Sequence, residues 1–466
     1  MHGNVIAAIS TPPGKGGVAV IRVSGDGAFD IVKKVFLPLS GKSVESYPPR
    51  TQIYGFIIYN EEKIDDGMLT LFPAPRSYTG EDTAEISCHG GLLVTRTVLE
   101  ALLAAGAHPA EAGEFTRRAF LNGKLSLTEA EAIGTLLEAQ THEQIKLSSE
   151  PARVKLASKI QAIRSDITDV MSSIYARIDY PDEDLGEFTD EETVDRLVAV
   201  RGDILELIAT YRTGRAINEG ISAVICGKPN VGKSTVYNLL LGEDAAIVTD
   251  IAGTTRDVLE RTVPLGRVVL KLYDTAGIRV AENMDAVEKI GIERSRERIN
   301  SSELIIAVFD ASRQLDEYDM DLLREIGGAQ CPKICLINKT DLAEGNEAFD
   351  SACLDKVGFS NIIRISAKTD EAYVVSKLSE AVDRLFTDEK ISCGQDAIVS
   401  SARQHAALIR ARDFIDTAIG AYRLGLPSDA ASSDIELALG AIAEIDGRAV
   451  TESIVSDIFS KFCVGK

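Results

Sequence analysis

The stretch Gly227-Lys-Pro-Asn-Val-Gly-Lys-Ser234 matches the pattern G-x-x-x-x-G-K-S/T. The apolar run Ile221–Cys226 before it predicts a strand, and Thr235–Leu241 after it predicts a helix. Glycines let backbone N–H groups turn inward around phosphates, and the start of a helix adds positive potential there. In this pattern Lys233 reaches the β- and γ-phosphates and the Ser234 hydroxyl ligates Mg²⁺. The segment therefore predicts a phosphate-binding loop.

Further short apolar runs alternate with helical segments on the C-terminal side of this loop. This rhythm predicts a parallel sheet wrapped by helices. The predicted strands after the first are Val268–Tyr273, Leu304–Phe309, Ile334–Ile337 and Ile362–Ile365.

Three of these runs are followed by segments that suit a guanine nucleotide. Asp274-Thr-Ala-Gly277 offers a carboxylate for the Mg²⁺ shell and a glycine for the γ-phosphate. In Asn338-Lys-Thr-Asp341 the last carboxylate can accept both N–H donors of guanine, a donor pair that adenine lacks. Ser366-Ala-Lys368 is similar to a loop that caps guanine. Because Ile278 follows Gly277, the polar group that orients attacking water in Ras-like proteins is absent.

The composition of the 466-residue chain, 45% hydrophobic and 26% charged, is typical of a globular protein with two or three domains. No apolar run reaches the roughly 20 residues that cross a bilayer, so we expect a cytoplasmic protein without membrane contact. Seven loosely spaced cysteines indicate free thiols. With a net charge of −21, binding of RNA would need a local basic patch or a basic partner.

The remainder of the chain predicts an α+β unit and a helical part. The first ~120 residues mix β-branched runs, among them Val18–Val23 and Gln52–Tyr59, with turn signals. Helical spacing runs from a capping box at Ser126 and Glu129 to about residue 215, and we interpret the acidic stretch 179–192 as a solvated loop. Helices return after about residue 400 and end with an apolar face on Thr451–Phe462.

Several strings resemble a known family. Thr249-Asp-Ile-Ala-Gly-Thr-Thr-Arg-Asp257 resembles switch I of the TrmE–Era–Der GTPase group. The ending Phe462-Cys-Val-Gly-Lys466 resembles that of the MnmE (TrmE) family of tRNA modification GTPases. Strings similar to this family occur throughout the chain, whereas an Era-type RNA-binding domain and a second G domain are not indicated. The other strings are Thr11-Pro-Pro-Gly-Lys-Gly-Gly17, Ser77-Tyr-Thr-Gly-Glu-Asp82, His89-Gly-Gly91, Gly113-Glu-Phe-Thr-Arg117 and Ala119-Phe-Leu-Asn-Gly-Lys124.

The resemblance implies a multidomain α/β and α protein, in which a Ras-like P-loop G domain is inserted into a discontinuous helical domain. The predicted divisions are an N-terminal tetrahydrofolate-binding and dimerisation domain at 1–121, helical parts at 122–217 and 386–466, and the G domain at 218–385.

The resemblance also implies an activity and its partners. A homodimer would join an FAD-dependent MnmG-type protein in a heterotetramer or larger complex that acts on tRNA. Together they would add a carboxymethylaminomethyl or aminomethyl group at C5 of the wobble uridine. This reaction would use GTP with Mg²⁺ and K⁺, and a one-carbon tetrahydrofolate (5-formyl- or methylene-tetrahydrofolate).

The implied nucleotide contacts lie in five segments: Asn230, Val231, Gly232, Lys233, Ser234, Thr235; Thr249, Asp250, Ile251, Ala252, Gly253, Thr254, Thr255; Asp274, Thr275, Ala276, Gly277; Asn338, Lys339, Thr340, Asp341; and Ser366, Ala367, Lys368. By the same resemblance Thr255 joins Ser234 on Mg²⁺, and K⁺ is held by Asn230 with Thr249, Ile251 and Thr254. Glu288 matches the glutamate that orients the attacking water. The alternatives are a solvated helix carboxylate for Glu288 and a loop-stabilising amide for Asn230.

The implied folate site consists of Arg22, Glu85, Lys124 and Lys466, whose charges suit a pterin ring and a glutamate tail. A surface ion pair is the alternative for Arg22 and Lys124. Cys463 near the chain end is either a nucleophile in the modification step or a small apolar residue buried beneath the final helix.

A second reading of the whole chain stays open. Because a GTP cycle does not define its output, the chain could be a regulatory switch in ribosome or RNA maturation without direct base chemistry.

Overall fold

The structure is a computed structural model that describes residues 4–180, 188–242, 260–273, 299–343 and 353–465. The chain forms two compact units, Met1–Leu137 with Leu439–Lys466, and Glu138–Ala438. The predicted domain boundaries after residues 121, 217 and 385 stay predictions. No helix within the described ranges is long and apolar enough to span a membrane.

The described secondary structure comprises strands, helices and short 3-10 turns. The strands are β1 Ile6–Ile9, β2 Gly16–Ser24, β3 Phe36–Pro38, β4 Gln52–Tyr59, β5 Glu62–Phe72, β6 Thr83–Gly90, β7 His108–Pro109, β8 Ile221–Cys226, β9 Glu260–Leu265, β10 Val268–Tyr273, β11 Leu304–Asp310, β12 Lys333–Asn338 and β13 Asn361–Arg364. The helices are α1 Ala28–Val35, α2 Leu92–Ala104, α3 Glu114–Leu121, α4 Leu127–Glu138, α5 His142–Leu147, α6 Glu150–Asp179, α7 Asp190–Asn218, α8 Lys233–Leu241, α9 Glu317–Gly328, α10 Glu371–Phe386, α11 Ala402–Arg423, α12 Ser428–Asp446 and α13 Glu452–Ser460.

The first unit is built on a seven-stranded sheet in the order β3-β4-β5-β6-β2-β1-β7. Only the β1–β7 pair within this sheet is parallel. Ile21 and Val23 of β2 are buried in a core that they share with residues of α1 and α2. Arg22 lies between them in sequence, so its side chain extends from the opposite face of the sheet. The predicted α+β unit is confirmed.

The C-terminal residues 439–466 belong to this same unit. The predicted apolar face of the last helix is confirmed, because Val455 and Phe459 of α13 are buried against Leu127 and Ala130 of α4. The helix ends at Ser460, two residues before the predicted end. The capping box that opens α4 is also present: the Ser126 backbone N–H donates to Glu129 Oε2 at 2.8 Å, and the Glu129 N–H donates to Ser126 Oγ at 3.2 Å.

The second unit contains a six-stranded sheet in the order β13-β12-β11-β8-β10-β9. All five strands predicted from the sequence are present. The expectation of a parallel sheet is wrong at one edge, where β9 pairs antiparallel with β10. The reason is local: Leu265 and Val268 face each other across a two-residue turn, and the turn begins with Gly266 at φ +61°.

The acidic stretch 179–192 is a loop only in part. Helix α7 already begins at Asp190, after a capping box in which Thr189 Oγ1 accepts from the Glu192 N–H and Glu192 accepts from the Thr189 N–H. Acidic side chains are favoured in the first turn of a helix because they face its unpaired N–H groups. Residues 181–187 lie outside the described residues.

Two glycines of helix α7 give opposite expectations on substitution. A Cβ on Gly202 would meet nothing within 4 Å, whereas a Cβ on Gly214 would lie 2.1 Å from the carbonyl oxygen of Val399. We expect Gly202→Ala to raise the free energy of unfolding by about 0.5–1 kcal/mol, since it removes backbone freedom from the unfolded chain. Gly214→Ala should lower the midpoint of thermal unfolding. Calorimetry that found both midpoints shifted in the same direction would contradict this account of α7.

Candidate functional site

The phosphate-binding loop connects β8 to α8, as its sequence predicts. Gly227 has φ +148°, and a Cβ there would lie 2.3 Å from the Val308 carbonyl oxygen. Asn230 adopts the left-handed conformation at φ 65°. The ammonium of Lys233 donates to the carbonyl oxygens of Gly227 and Lys228 at 2.7 and 2.8 Å. The lysine side chain is thus folded back against the loop from which its own helix starts.

The side-chain amide of Asn338 joins three of the predicted segments. It is 3% exposed, its Nδ2 donates to the carbonyl oxygen of Val231 at 2.9 Å, and its Oδ1 accepts from the N–H of Ala367 at 2.9 Å. A Cβ on Gly232 would lie 2.1 Å from Nδ2, so only glycine allows this approach. One buried amide therefore fixes the phosphate loop against the loops that follow β12 and β13.

Asp341 and Ser366, predicted to lie around the base, meet in the structure. Ser366 Oγ donates to Asp341 Oδ1 at 2.6 Å, and the Thr340 N–H donates to the Ile365 carbonyl oxygen at 3.2 Å. Asp341 is exposed, while Ser366 is buried. The hydroxyl thus orients a carboxylate whose other oxygen can accept from a ligand.

Asp310 is a residue of this site that the sequence reasoning missed. It ends β11, is 7% exposed, and its Oδ2 lies 2.6 Å from the ammonium of Lys339. Burial alone would raise the pKa of the Asp310 carboxyl, but hydrogen bonds from Lys339 and Ser312 outweigh it and hold the pKa below its usual value. Lys339 has φ 64°, so the pair also holds a strained turn. The sequence did contain a signal for Asp310, because it follows an apolar run in the same way as Asp274 follows Val268–Tyr273.

A second missed acidic residue, Asp316, lies on the loop before α9. It pairs with Lys228 of the phosphate loop, and this hydrogen bond lowers the pKa of Asp316 to about 2. The loop is thus tied to the region between β11 and α9 as well as to Asn338.

Several predicted site residues lie outside the described residues. They are the switch I segment Thr249–Thr255, the segment Asp274–Gly277, Glu288 and Lys466. Their predicted roles stay predictions.

Two of the predicted folate residues are neighbours on the first sheet. Arg22 of β2 faces Glu85 of β6 across the ladder, with Arg22 Nε 2.9 Å from Glu85 Oε1. The guanidinium also lies 5.1 Å from the ring centre of Tyr78 and 5.7 Å from that of Phe115. The side chains of Arg22 and Glu85 are 16% and 29% exposed, so a ligand could reach the carboxylate of this ion pair.

Lys124 contacts the same loop as Arg22, but at Pro75 rather than at Tyr78. Its ammonium donates to the Pro75 carbonyl oxygen at 3.1 Å, and Asn122 Nδ2 donates to the Thr79 carbonyl oxygen at 2.8 Å. Thr79 is buried, and its hydroxyl lies 2.7 Å from Ser24 Oγ on β2. Loop 73–82 therefore connects Lys124 with the strand that bears Arg22.

Cys463 is exposed, so its interpretation as a small residue buried beneath the last helix is wrong. All seven cysteines are free, as expected, and burial raises the pKa of Cys226 and Cys335 to about 12. The backbone around Cys463 is anchored, because its carbonyl oxygen accepts from the Gly113 N–H at 3.4 Å and Val464 forms a β-bridge with Ala112.

Comparison with known families gives two matches in different parts of the chain. Residues 5–124 match the model described as "GTP-binding protein TrmE N-terminus", and residues 127–463 match that of the "MnmE helical domain".

Curated relatives match over the full length. The chain is 39% identical to a protein named tRNA modification GTPase MnmE from Clostridioides difficile (strain 630), over 99% of both chains. It is also 39% identical to the protein of that name from Carboxydothermus hydrogenoformans, over 100% of both chains. Among solved structures, Aquifex aeolicus Era bound to GDP and AlF4⁻ matches 42% of this chain and 66% of its own, with 23% identity and a TM-score of 0.27.

The Asp310–Lys339 pair gives a test of the nucleotide site. We expect Asp310→Asn to weaken GDP binding about tenfold, which is about 1.4 kcal/mol, because the turn at Lys339 loses its charged partner. Titration of the protein with a fluorescent GDP analogue measures this. Asp321→Asn is the matched control, since Asp321 is an exposed residue that pairs with Arg324 on α9. Equal affinities of the two variants would show that Asp310 does not support the site.

Proposed function

The chain belongs to the MnmE family of tRNA modification GTPases, and from this membership we propose that it is a potassium-dependent GTPase that modifies C5 of the wobble uridine in certain tRNAs. The observation on which the proposal rests is the match to MnmE relatives over the entire chain, from the N-terminal sheet to the C-terminal tail. A FAD-dependent MnmG-type partner would share the reaction. The added group would be carboxymethylaminomethyl or aminomethyl, and the setting would be cytoplasmic.

In the nucleotide site, binding follows from groups of this chain. Lys233 would exchange its two carbonyl partners for the β- and γ-phosphates, and the exposed hydroxyl of Ser234 would turn toward Mg²⁺. Asp341, oriented by Ser366, would accept the N–H donors of guanine. A hydroxyl at the start of a helix beside phosphates fits Mg²⁺, which keeps oxygen ligands.

Hydrolysis needs a group that orients the attacking water and a positive charge that offsets the charge on the phosphates. Because Ile278 follows Gly277, the residue after Gly277 is not the polar group that orients this water in Ras-like proteins, and another residue must do so. We propose Glu288 for the water. We propose K⁺ for the charge, bound by Asn230 with Thr249, Ile251 and Thr254. Asn230 is exposed at a left-handed turn of the phosphate loop, so its amide oxygen is accessible to a cation. K⁺ and GTP would bring the G domains of a homodimer together, and hydrolysis would let them part.

In the first unit, Arg22, Glu85, Lys124 and Lys466 would hold a one-carbon tetrahydrofolate. The residues fit this group: a carboxylate suits the donor edge of a pterin, and the half-buried ring of Tyr78 lies beside the Arg22 guanidinium that pairs with this carboxylate. When bound, the folate would supply the one-carbon unit. Cys463 would present an accessible sulfur as nucleophile in the modification step.

The potassium requirement can be measured with the chain alone. We expect GTP turnover to be several-fold higher in K⁺ than in Na⁺, because in the proposed mechanism a bound K⁺ offsets the negative charge that develops on the phosphates. Asn230→Gly removes the amide and keeps the left-handed turn, so it should abolish this difference. Asn238→Ala, at an exposed position of α8, should preserve it. Equal turnover of the unaltered chain in both salts would exclude the role of potassium.

The modification itself is tested by mass analysis of wobble uridines in tRNA from cells that lack the chain. We expect the C5 group to be missing and to return with the unaltered chain. Glu85→Gln and Cys463→Ser should fail to restore it, because one replaces the carboxylate by a neutral amide that presents a donor in place of one acceptor oxygen, and the other removes the sulfur. Glu100→Gln and Cys353→Ser should restore it.

Two results of this experiment would count against the proposal. Identical uridine masses with and without the chain would contradict the proposed function and favour the regulatory switch. Full restoration by Cys463→Ser would remove the nucleophile from the mechanism.

A further inference from the structure

The β9–β10 hairpin occupies a particular place in the sequence. Strand β9 starts at Glu260, three residues after Asp257 ends the segment that resembles switch I, and β10 ends at Tyr273, directly before Asp274. The two strands pair along their whole length, from Glu260–Tyr273 to Leu265–Val268. At about 3.3 Å per residue, the turn lies about 20 Å from the strand ends that lead to the predicted nucleotide-binding segments.

The turn of this hairpin is held by helix α10. The backbone N–H of Arg267 donates to Asp383 Oδ1 at 3.0 Å. A Cβ on Gly266 would lie 2.4 Å from Ser379 Oγ and 2.5 Å from Asp383 Oδ2, so the backbone itself packs against the helix. Burial raises the pKa of Asp383, and the contact with Arg267 offsets this only in part.

The guanidinium of Arg267 reaches three further points of the second unit. Nη1 donates to the Asp388 carbonyl oxygen at 3.2 Å, and Nη2 donates to that of Ile391 at 2.8 Å. Nε lies 3.8 Å from Glu143 Oε2 on α5. These groups lie outside the six-stranded sheet. Glu143 is on α5, and Asp388 and Ile391 are in the chain that follows α10.

The segment that Arg267 contacts is in turn bonded to the long helix α7. The Asp388 N–H donates to Thr213 Oγ1 at 2.9 Å, and Arg212 donates to the Leu385 carbonyl oxygen. The Val399 N–H donates to Thr210 Oγ1 at 3.0 Å. A continuous set of hydrogen bonds thus runs from the hairpin turn to α7.

From this geometry we infer that Arg267 is a positioning residue that couples the nucleotide state to the helical part of the second unit. A paired hairpin moves as one body, so a displacement of its nucleotide end is transmitted to the turn. Arg267 passes that displacement to residues 388–391 through two carbonyl bonds. Because coupling between two sites is reciprocal, a change in the helical part shifts the conformation of the nucleotide end of the hairpin by the same free energy. The inference rests on GTP binding and is independent of the proposed uridine chemistry.

Hydrogen exchange of the full-length chain tests this coupling. The Ile391 N–H donates to the Asp388 carbonyl oxygen at 3.1 Å, the same oxygen that Arg267 contacts. We expect exchange in peptide 387–393 to differ about fivefold or more between the GDP state and a state with a non-hydrolysable GTP analogue, Mg²⁺ and K⁺. In Arg267→Ala the difference should fall below about twofold, with GDP affinity unchanged.

The ratio of the exchange rates of peptide 387–393 in the GDP state and the GTP-analogue state distinguishes a coupling role of Arg267 from a merely structural one. Loss of a merely structural contact would raise exchange equally in both nucleotide states and leave their ratio intact. Arg324→Ala, at an exposed site on α9, is the matched control and should keep the full ratio. Arg267→Lys keeps the charge but replaces the two separate Nη donors of the planar guanidinium by a single nitrogen, and serves if Arg267→Ala does not fold. An unchanged ratio in either soluble variant, or no difference in the unaltered chain, would overturn the inference.

Discussion

The buried amide of Asn338 is the contact on which the nucleotide site depends. It donates to the phosphate loop and accepts from the loop after β13, so segments more than a hundred residues apart share one anchor. A side-chain amide suits this position because it carries a donor and an acceptor on one planar group, pointing in different directions. Leaving either partner unpaired in the interior costs about 1–3 kcal/mol. The close approach also explains why Gly232 must be glycine.

The electrostatics of the site are local and do not follow the net charge of −21. Lys233 is held against carbonyl oxygens of its own loop, while Lys339 and Lys228 are paired with Asp310 and Asp316. The acidic residues orient the lysines around the loop, and inward-facing amides supply positive potential for phosphate. An acidic protein can therefore bind a polyanionic nucleotide. For tRNA, the overall charge leaves most of the attraction to a local surface or to a partner.

In the first unit, close backbone contacts bring the C-terminal tail to the N-terminal sheet. Ser10 Oγ donates to the Gly465 carbonyl oxygen at 3.0 Å, and a Cβ on Gly465 would lie 2.4 Å from the carbonyl oxygen of Ile9. The residues on both sides of Cys463 are thus tied down while its sulfur stays exposed. This combination suits a reactive group better than a packing residue, because position is fixed and access is kept.

The sequence by itself determined the phosphate loop, the five parallel strands of the second unit and the capped start of α4, because glycine spacing, apolar runs and capping residues act over a few neighbours. It also located the Asn338–Asp341 segment. Only the tertiary structure decided what depends on distant partners: the bridge made by Asn338, the pairing of Asp310 with Lys339, the exposure of Cys463 and the anchoring of Arg267. The direction of a side chain and its partner are set by which strands and helices meet, and local pattern does not encode that meeting.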